Sequence, residues 1–296
     1  MKTFQRIYLL MFGLVLLIIS PSCEKDVTED FDLGSKNQLV LRSFISPQDL
    51  LLVVKLRRTE PALGRTFAEK ELQVSDATVA ITDGVRTAQL SYDAKNNLYS
   101  VPASEFPILA GKTYTMNVSA QNGSKLSAQT TVPLQSQITI NSYILREESK
   151  ANRGNFTYLT YNWSDAAGVE NYYRPLAYRV GPAGSGSSLQ PRKEEFYYER
   201  TVSAFVSDAN LDGQEMVSNE LISSSQSSDD FPRPYKLYLN LLVTDKSYYL
   251  FHRSLLTQQN GEENPFAEPT LVYTNVQGGL GVFGSYNVIE EVREVK

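Results

Sequence analysis

Short runs of alternating apolar and polar residues, separated by two-residue turns, dominate this sequence. Ala77, Val79 and Ile81 alternate with polar neighbours, and side chains two positions apart lie on one face of a strand. The dipeptides Asp83-Gly84 and Asn122-Gly123 tolerate the positive φ of tight hairpin turns. A chain patterned in this way is restricted to a mainly β fold.

The strand candidates fall into two groups along the chain. Several short strands within about 100 residues are typical of an immunoglobulin-like β-sandwich, which we predict over residues 37–135. A second antiparallel β domain is predicted over residues 136–296. In this part we expect strands over residues 195–206, 270–276 and 287–295, because Val, Ile, Tyr and Thr are frequent there.

One helix is predicted in the second domain, near residues 245–259. Apolar side chains recur at helical spacing there, and Thr244 or Asp245 can cap the first turn. Asn260-Gly261 supplies a stop signal.

The first 22 residues have the pattern of a secretory signal peptide. Lys2 and Arg6 precede fourteen uncharged residues, 7–20, a stretch shorter than the roughly 20 apolar residues of a transmembrane helix. Ser20-Pro21-Ser22-Cys23 resembles a bacterial lipobox, in which the cysteine sulfur receives diacylglycerol and the new N-terminus an acyl chain. We therefore predict cleavage before Cys23, lipidation of Cys23 with palmitate-type chains, and membrane attachment through the lipid.

Composition excludes several functions. A net charge of −5 argues against nucleic acid as a partner. Part of this negative charge lies in the acidic residues 23–36, which are predicted to form a tether. One histidine and one cysteine exclude a zinc site built mainly from these ligands and a disulfide within one chain. We predict no cofactor and no enzymatic activity, and we interpret His252 as a helix-surface or packing residue.

Two motifs suggest ligands only weakly. The segment 279–284 matches G-x-G-x-x-G, but no helix or distant acidic residue follows it, so a glycine-rich turn is favoured over a dinucleotide site. Asp208, Asn210 and Asp212 resemble half of a calcium loop. The twelfth position of that loop is Asn219, so we favour a polar turn and keep calcium as the weaker alternative.

Paired tyrosines are the only hint of an exposed binding surface. They occur at 172–173, 197–198 and 248–249. In a strand, adjacent side chains point to opposite faces, so about half of these rings are expected in a core.

The C-terminal motif resembles a lipoprotein family called domain of unknown function 4249. The matching residues are Asn264-Pro265-Phe266-Ala267-Glu268-Pro269, Tyr273-Thr274-Asn275 and Gly278-Gly279-Leu280-Gly281-Val282-Phe283-Gly284. Further similarities are Leu39-Val40-Leu41, Ile45-Ser46-Pro47, Val74-Ser75-Asp76-Ala77, Gly111-Lys112-Thr113-Tyr114 and Ser247-Tyr248-Tyr249. Ser43 departs from the glycine often found in this family.

The resemblance implies an outer-membrane lipoprotein of the Bacteroidetes type, often encoded beside a TonB-dependent receptor, with no established catalytic residues. In that group, charges after the lipidated cysteine favour export to the cell surface, and Glu24, Lys25 and Asp26 are similar to such a signal. We expect a lipid-anchored outer-membrane protein at the cell surface, with the periplasmic face as the alternative location.

The sequence leaves three functions open. The first is binding of a ligand or protein partner, accessory to a TonB-dependent transporter. The alternatives are a surface hydrolase acting on glycans or peptides and a structural envelope lipoprotein. For the first, we predict a recognition loop formed by Asn264, Pro265, Phe266, Glu268, Asn275, Gly278, Gly279, Gly281, Phe283 and Gly284.

Overall fold

The computed structural model describes residues 37–60, 68–135, 137–150, 154–183, 190–225, 231–262 and 271–296. These residues form a mainly β fold of two sheets with one long helix, which confirms the predicted β-sandwich-like class. The N-terminal elements are β1 (Leu39–Ile45), β2 (Leu51–Arg58), the short helix α1 (Glu69–Leu72), β3 (Thr78–Thr82), β4 (Thr87–Asp93), β5 (Leu98–Pro102), β6 (Thr113–Ser119) and β7 (Lys125–Thr131).

The C-terminal part has longer strands and the long helix. Its elements are β8 (Thr139–Lys150), β9 (Gly154–Ser164), β10 (Tyr172–Ala183), β11 (Pro191–Glu195), a 3-10 helix (Thr201–Ala204), β12 (Val206–Ser207), β13 (Glu215–Val217), β14 (Leu221–Ser225), β15 (Tyr235–Thr244), α2 (Lys246–Glu262) and β16 (Leu280–Val295).

The larger sheet contains strands from both halves of the sequence. Its order is β11-β10-β15-β16-β1-β2-β5-β4-β3-β6-β7, and β12 pairs with β10. The smaller sheet has β9 at its centre, with β8 on one side and β13 and β14 on the other. β16 pairs with β1 in parallel, with Val40 opposite Leu280. The other strand pairs among the described residues are antiparallel.

A hairpin turn is present at the predicted place between β3 and β4, but four residues, 83–86, join the strands instead of the predicted two. Gly84 has a φ of 86°, in the region that glycine adopts without steric cost. The Asp83 carboxylate accepts the backbone N–H groups of Val85 and Arg86, at 3.1 and 2.7 Å. The local sequence therefore determines this turn.

Helix α2 begins where the sequence predicts. The Asp245 carboxylate accepts the N–H of Tyr248 at 2.8 Å, the bond of an N-cap residue to the third residue of the helix. The predicted end is wrong, because α2 continues through Asn260-Gly261 to Glu262. Glycine disfavours a helix by only about 1 kcal/mol, which does not by itself end the last turn.

Three other local predictions are wrong. The segment 195–206 is not a continuous strand, since a 3-10 helix interrupts it at Thr201–Ala204. Residues 271–276 form no strand, because the Asn275 side chain bonds the backbone of Phe283 in place of a neighbouring strand. The glycine-rich motif is a turn only at its start, and from Leu280 onward it is part of β16.

Two clusters of buried apolar side chains stabilise the fold. The N-terminal strands surround one cluster, to which Val276 and Phe283 of the C-terminal part also belong. The other lies between the smaller sheet, the β10–β15 region and α2. The division of the chain into domains at residue 135 stays a prediction.

Candidate functional site

A surface cleft of about 610 Å³ lies where the N-terminal strands meet the C-terminal part. The segments 131–134, 166–167, 169–172 and 244–246 line it, together with Gly111 and Gln137. Small-molecule sites in proteins are concave and typically enclose about 300–1,000 Å³. The cleft therefore has the dimensions of a ligand site.

The floor of the cleft holds the capping carboxylate of Asp245. Besides the Tyr248 N–H, this carboxylate accepts the Ser285 N–H at 3.1 Å and the Thr130 hydroxyl at 2.7 Å. Burial raises the pKa of Asp245, and these hydrogen bonds lower it in part. The carboxylate thus joins β7, β16 and α2 and holds the floor in place.

The mouth of the cleft carries an ion pair between Lys246 and Glu170. The Lys246 ammonium lies 3.1 Å from the Glu170 carboxylate, and both side chains are mostly exposed. Tyr172 lies beneath them, and burial, followed by the hydrogen bond to Glu170, raises its pKa to about 12. Because water screens an exposed ion pair, the pair contributes little to stability, and a ligand can replace either partner at low cost.

The walls of the cleft add exposed apolar surface. Leu134 is 62% exposed and Val169 is 61% exposed. They belong to two separate lining segments, the segment after β7 and the loop before β10. Apolar walls beside a separable pair of opposite charges suit a ligand that has both an apolar body and a charged or polar group.

A cluster of three carboxylates lies behind the wall formed by residues 166–172. Carboxylate oxygens of Asp165, Asp208 and Asp212 lie within 4.8 Å of one another. The Tyr173 hydroxyl and the Gly213 N–H (2.8 Å) donate to Asp165.

The other two carboxylates are also held by backbone groups. Asp208 accepts the Asn171 N–H at 2.9 Å, and Asp212 accepts the Gly168 N–H at 2.8 Å. Burial raises the pKa of Asp208, and the charges of Asp165 and Asp212 raise it further. A set of oxygen atoms in this arrangement could hold a divalent cation such as calcium.

The sequence pattern found two of these three carboxylates. It placed Asp208 and Asp212 together through their spacing, and Asn210 lies in the turn between them with a φ of 69°. Asp165, at the end of β9, was missed because strand pairing brings it there, and no local spacing indicates that. Whether calcium binds stays a prediction.

Part of the predicted recognition loop lies outside the described residues, namely Asn264, Pro265, Phe266 and Glu268. Asn275 is described and has a structural role. Its side chain donates to the carbonyls of Phe283 (2.8 Å) and Gln129 (3.1 Å) and accepts the Phe283 N–H at 3.0 Å. Asn275 therefore links β7 to β16 at the place where the sequence predicts another strand.

The glycines of the motif allow β16 to approach its neighbours closely. Gly281 has a φ of 109°, and a Cβ there would overlap the carbonyl oxygen of Leu41. At Gly284 a Cβ would lie 3.2 Å from the Asp245 carboxylate. Gly278 and Gly279 likewise meet the backbone of β7 and β1, and Phe283 is fully buried. A recognition role for these residues stays a prediction, and the structure gives each of them a role in packing.

The predicted lipidation site and export signal, Cys23, Glu24, Lys25 and Asp26, lie outside the described residues. His252, on α2, is described and packs between the rings of Phe44 of β1 and Phe205, with centroids 4.8 and 5.4 Å away. Burial lowers its pKa to about 4.

The fold and the cleft define a mainly β protein with a ligand-sized cavity at the meeting of its two halves. The family described as domain of unknown function (DUF4249) matches residues 24–291, and the chain belongs to this family. No curated protein matches the chain. Among the residues that the structure describes, no helix is both long enough and apolar enough to cross a bilayer.

Proposed function

We propose that this protein is a lipid-anchored outer-membrane protein that binds a ligand or a segment of a protein partner, as an accessory of a TonB-dependent transporter. The cleft of about 610 Å³ is the observation that carries the binding function. Its exposed leucine and valine would pack on the apolar part of the ligand. Its exposed charges, Lys246 and Glu170, would select the polar part.

The position of the only cysteine supports the lipid anchor. Cys23 follows an uncharged segment and small residues, and attachment of several acyl chains gives stable membrane binding where one chain is marginal. The net negative charge of the chain would be repelled by anionic lipids. The lipid, and not a basic surface, would therefore hold the protein at the membrane.

Metabolic labelling tests the anchor. Cells that produce the wild-type protein in the presence of radioactive palmitate should label it, whereas the Cys23→Ala variant should carry no label. Ser35→Thr, in the predicted tether and outside the lipobox, leaves the acceptor sulfur and the small residues before it in place and is the control. Label that persists in Cys23→Ala would contradict the anchor.

Copurification from native membranes tests the binding function. The wild-type protein, crosslinked and isolated, should bring down a TonB-dependent transporter, and the double variant Leu134→Asp, Val169→Asp should lose most of it. Ile144→Asp, at a position on β8 that is 71% exposed, controls for the added charge. Equal recovery with all three proteins would place the interaction outside the cleft. No transporter with the wild type would favour the structural envelope alternative.

A further inference from the structure

An arginine without a carboxylate partner lies beneath helix α2. Arg174 belongs to β10, and its Nη1 donates to the hydroxyl of Tyr248 on α2 at 2.7 Å. Its guanidinium carbon lies 5.2 Å from the centre of the Phe205 ring, a cation–π geometry. Among the described residues, it forms no ion pair.

One edge of this guanidinium lacks protein acceptors. The Nε atom is buried and has no hydrogen-bond partner, and within the described part of the chain Nη2 has none either. Because Nε has no solvent-accessible surface, a ligand reaches this guanidinium through Nη2, which is not fully buried. A partly buried charge without a counter-charge destabilises the protein, and a carboxylate that accepts from Nη2 would supply that counter-charge.

A second arginine of the same strand, which is buried, shows how this protein pairs such a charge internally. Arg179 is 3% exposed, and its Nε likewise has no partner. Its Nη2, however, lies 3.2 Å from the carboxylate of Glu194. The guanidinium of Arg174 also carries a charge that requires a partner, but no carboxylate among the described residues pairs with it.

The surroundings of Arg174 are aromatic and partly open to solvent. Phe44 and His252 pack around Tyr248, with centroids 4.9 and 4.2 Å from its ring. Arg174, Phe44 and His252 each keep part of their surface exposed. The acid in the neighbourhood, Asp49, accepts the hydroxyl of Tyr286 at 2.8 Å and forms no ion pair with Arg174.

We infer that Arg174 binds the carboxylate of an organic acid through its accessible Nη2 atom, while the partly exposed rings of Phe44 and His252 contact the organic body of that ligand. This site is separate from the cleft of the proposed function. Its chemistry is that of a carboxylate, whether on an acidic sugar or at the C-terminus of a peptide.

Nuclear magnetic resonance of the full chain tests the site directly. Benzoate added to the wild-type protein should shift the Nε–Hε resonance of Arg174, and benzyl alcohol, of similar shape without the charge, should bind at least about tenfold more weakly. Equal binding of benzoate and benzyl alcohol, or an unmoved Arg174 resonance at saturating benzoate, would overturn the inference.

The variant Arg174→Lys keeps the charge and removes the planar edge. It should lose at least about tenfold in benzoate affinity. Arg253→Lys is the matched control, because Arg253 on α2 also donates to a tyrosine hydroxyl (Tyr249, 2.5 Å) and lies 5.2 Å from its ring. Equal losses in both variants would contradict a specific site. If Arg174→Lys fails to fold, the response of the Arg174 resonance in the wild-type protein still tests the inference.

Two further ligands separate the sources of the carboxylate. Glucuronate represents acidic sugars, and a short peptide with a free C-terminus represents proteins, with the same peptide amidated as its control. Tighter binding of either acid than of the amidated peptide supports the site and identifies the source. Equal binding of all three overturns it. The cleft variants Leu134→Asp and Val169→Asp should leave these affinities unchanged, so failure here is distinguishable from failure of the proposed function.

Discussion

The two buried clusters of this protein differ in their chemistry. Among the fully buried apolar residues of the N-terminal cluster, four are aromatic: Tyr99, Phe106, Tyr114 and Phe283. In the other cluster eleven are aromatic: Tyr161, Trp163, Tyr172, Tyr173, Phe196, Tyr198, Phe205, Phe231, Tyr235, Tyr248 and Tyr249. The first core packs mainly aliphatic side chains, and the second combines apolar rings with polar atoms.

This difference shows where the fold can accommodate buried polar groups. In the aromatic core, the Tyr161 hydroxyl accepts the Leu176 N–H at 3.0 Å and donates to the Asn240 carbonyl at 2.9 Å. The buried charges of Arg179 and Asp165 lie in the same region. Tyr172 of the cleft and Tyr248 of the Arg174 site also belong to this core. Both candidate sites therefore lie at the border of the aromatic core.

Truncation of Trp163 should have the largest effect on stability. Trp163 is fully buried, and its Nε1 has no hydrogen-bond partner, so Trp163→Ala removes packing alone. We expect a loss of about 3–5 kcal/mol in the free energy of unfolding, measured by circular dichroism in urea. In the aliphatic core, Ile81→Val should cost only about 0.5–1.5 kcal/mol. A smaller loss of unfolding free energy for Trp163→Ala than for Ile81→Val would show that the aromatic core is loosely packed.

Acidification should weaken the aromatic core through His252. Because burial lowers the pKa of His252 to about 4, below the usual 6.5, the unfolded chain takes up the proton first as the pH falls. The stabilisation is present above pH 6.5 and is lost toward pH 4, by up to about 3 kcal/mol.

The difference in the free energy of unfolding between the wild type and His252→Gln isolates this contribution. It should shrink from pH 7 to pH 4, whereas Asp49, Asp208 and Asp245 affect both proteins alike. Because the chain has one histidine, the imidazole resonance reports its pKa without assignment. A midpoint near 6.5 in the folded protein would contradict the burial of His252.

Removal of one charge from the carboxylate cluster should have the smallest effect. Without metal, Asp212→Asn relieves repulsion between carboxylates and keeps an oxygen for the Gly168 N–H, so at pH 7 with a chelator it should stabilise by about 1 kcal/mol. If the calcium interpretation is right, calcium raises the melting temperature of the wild type and raises that of Asp212→Asn much less. An unchanged melting temperature of the wild type with calcium would reject that interpretation.

At two places, local signals in the sequence predicted the local structure correctly. Asp83-Gly84 and the cap at Asp245 depend on bonds within a few residues, and the structure confirms both. Alternation also predicted the β class, since strands such as β1, β6 and β7 bury every second residue.

Features that depend on distant residues were not predictable in this way. Asp165 joins Asp208 only through strand pairing, and nothing near Arg174 in the sequence indicates that no acid lies beside it. The sequence predicts only a turn at Gly281 and Gly284. The structure requires glycine there because a side chain would collide with Leu41 or Asp245, which are distant in the sequence. A single sequence contains no local trace of such contacts.

The parallel pairing of β16 with β1 has a consequence for the order of folding. Translation delivers β1 first and β16 last, yet Val40 pairs with Leu280 and Phe283 completes the aliphatic core. Contacts between residues so far apart in the chain form slowly, because a long loop must close first. During synthesis, the N-terminal strands would thus remain with an unfilled core and an unpaired edge until the C-terminal residues are available. A chain truncated before β16 should be a target for proteases and chaperones.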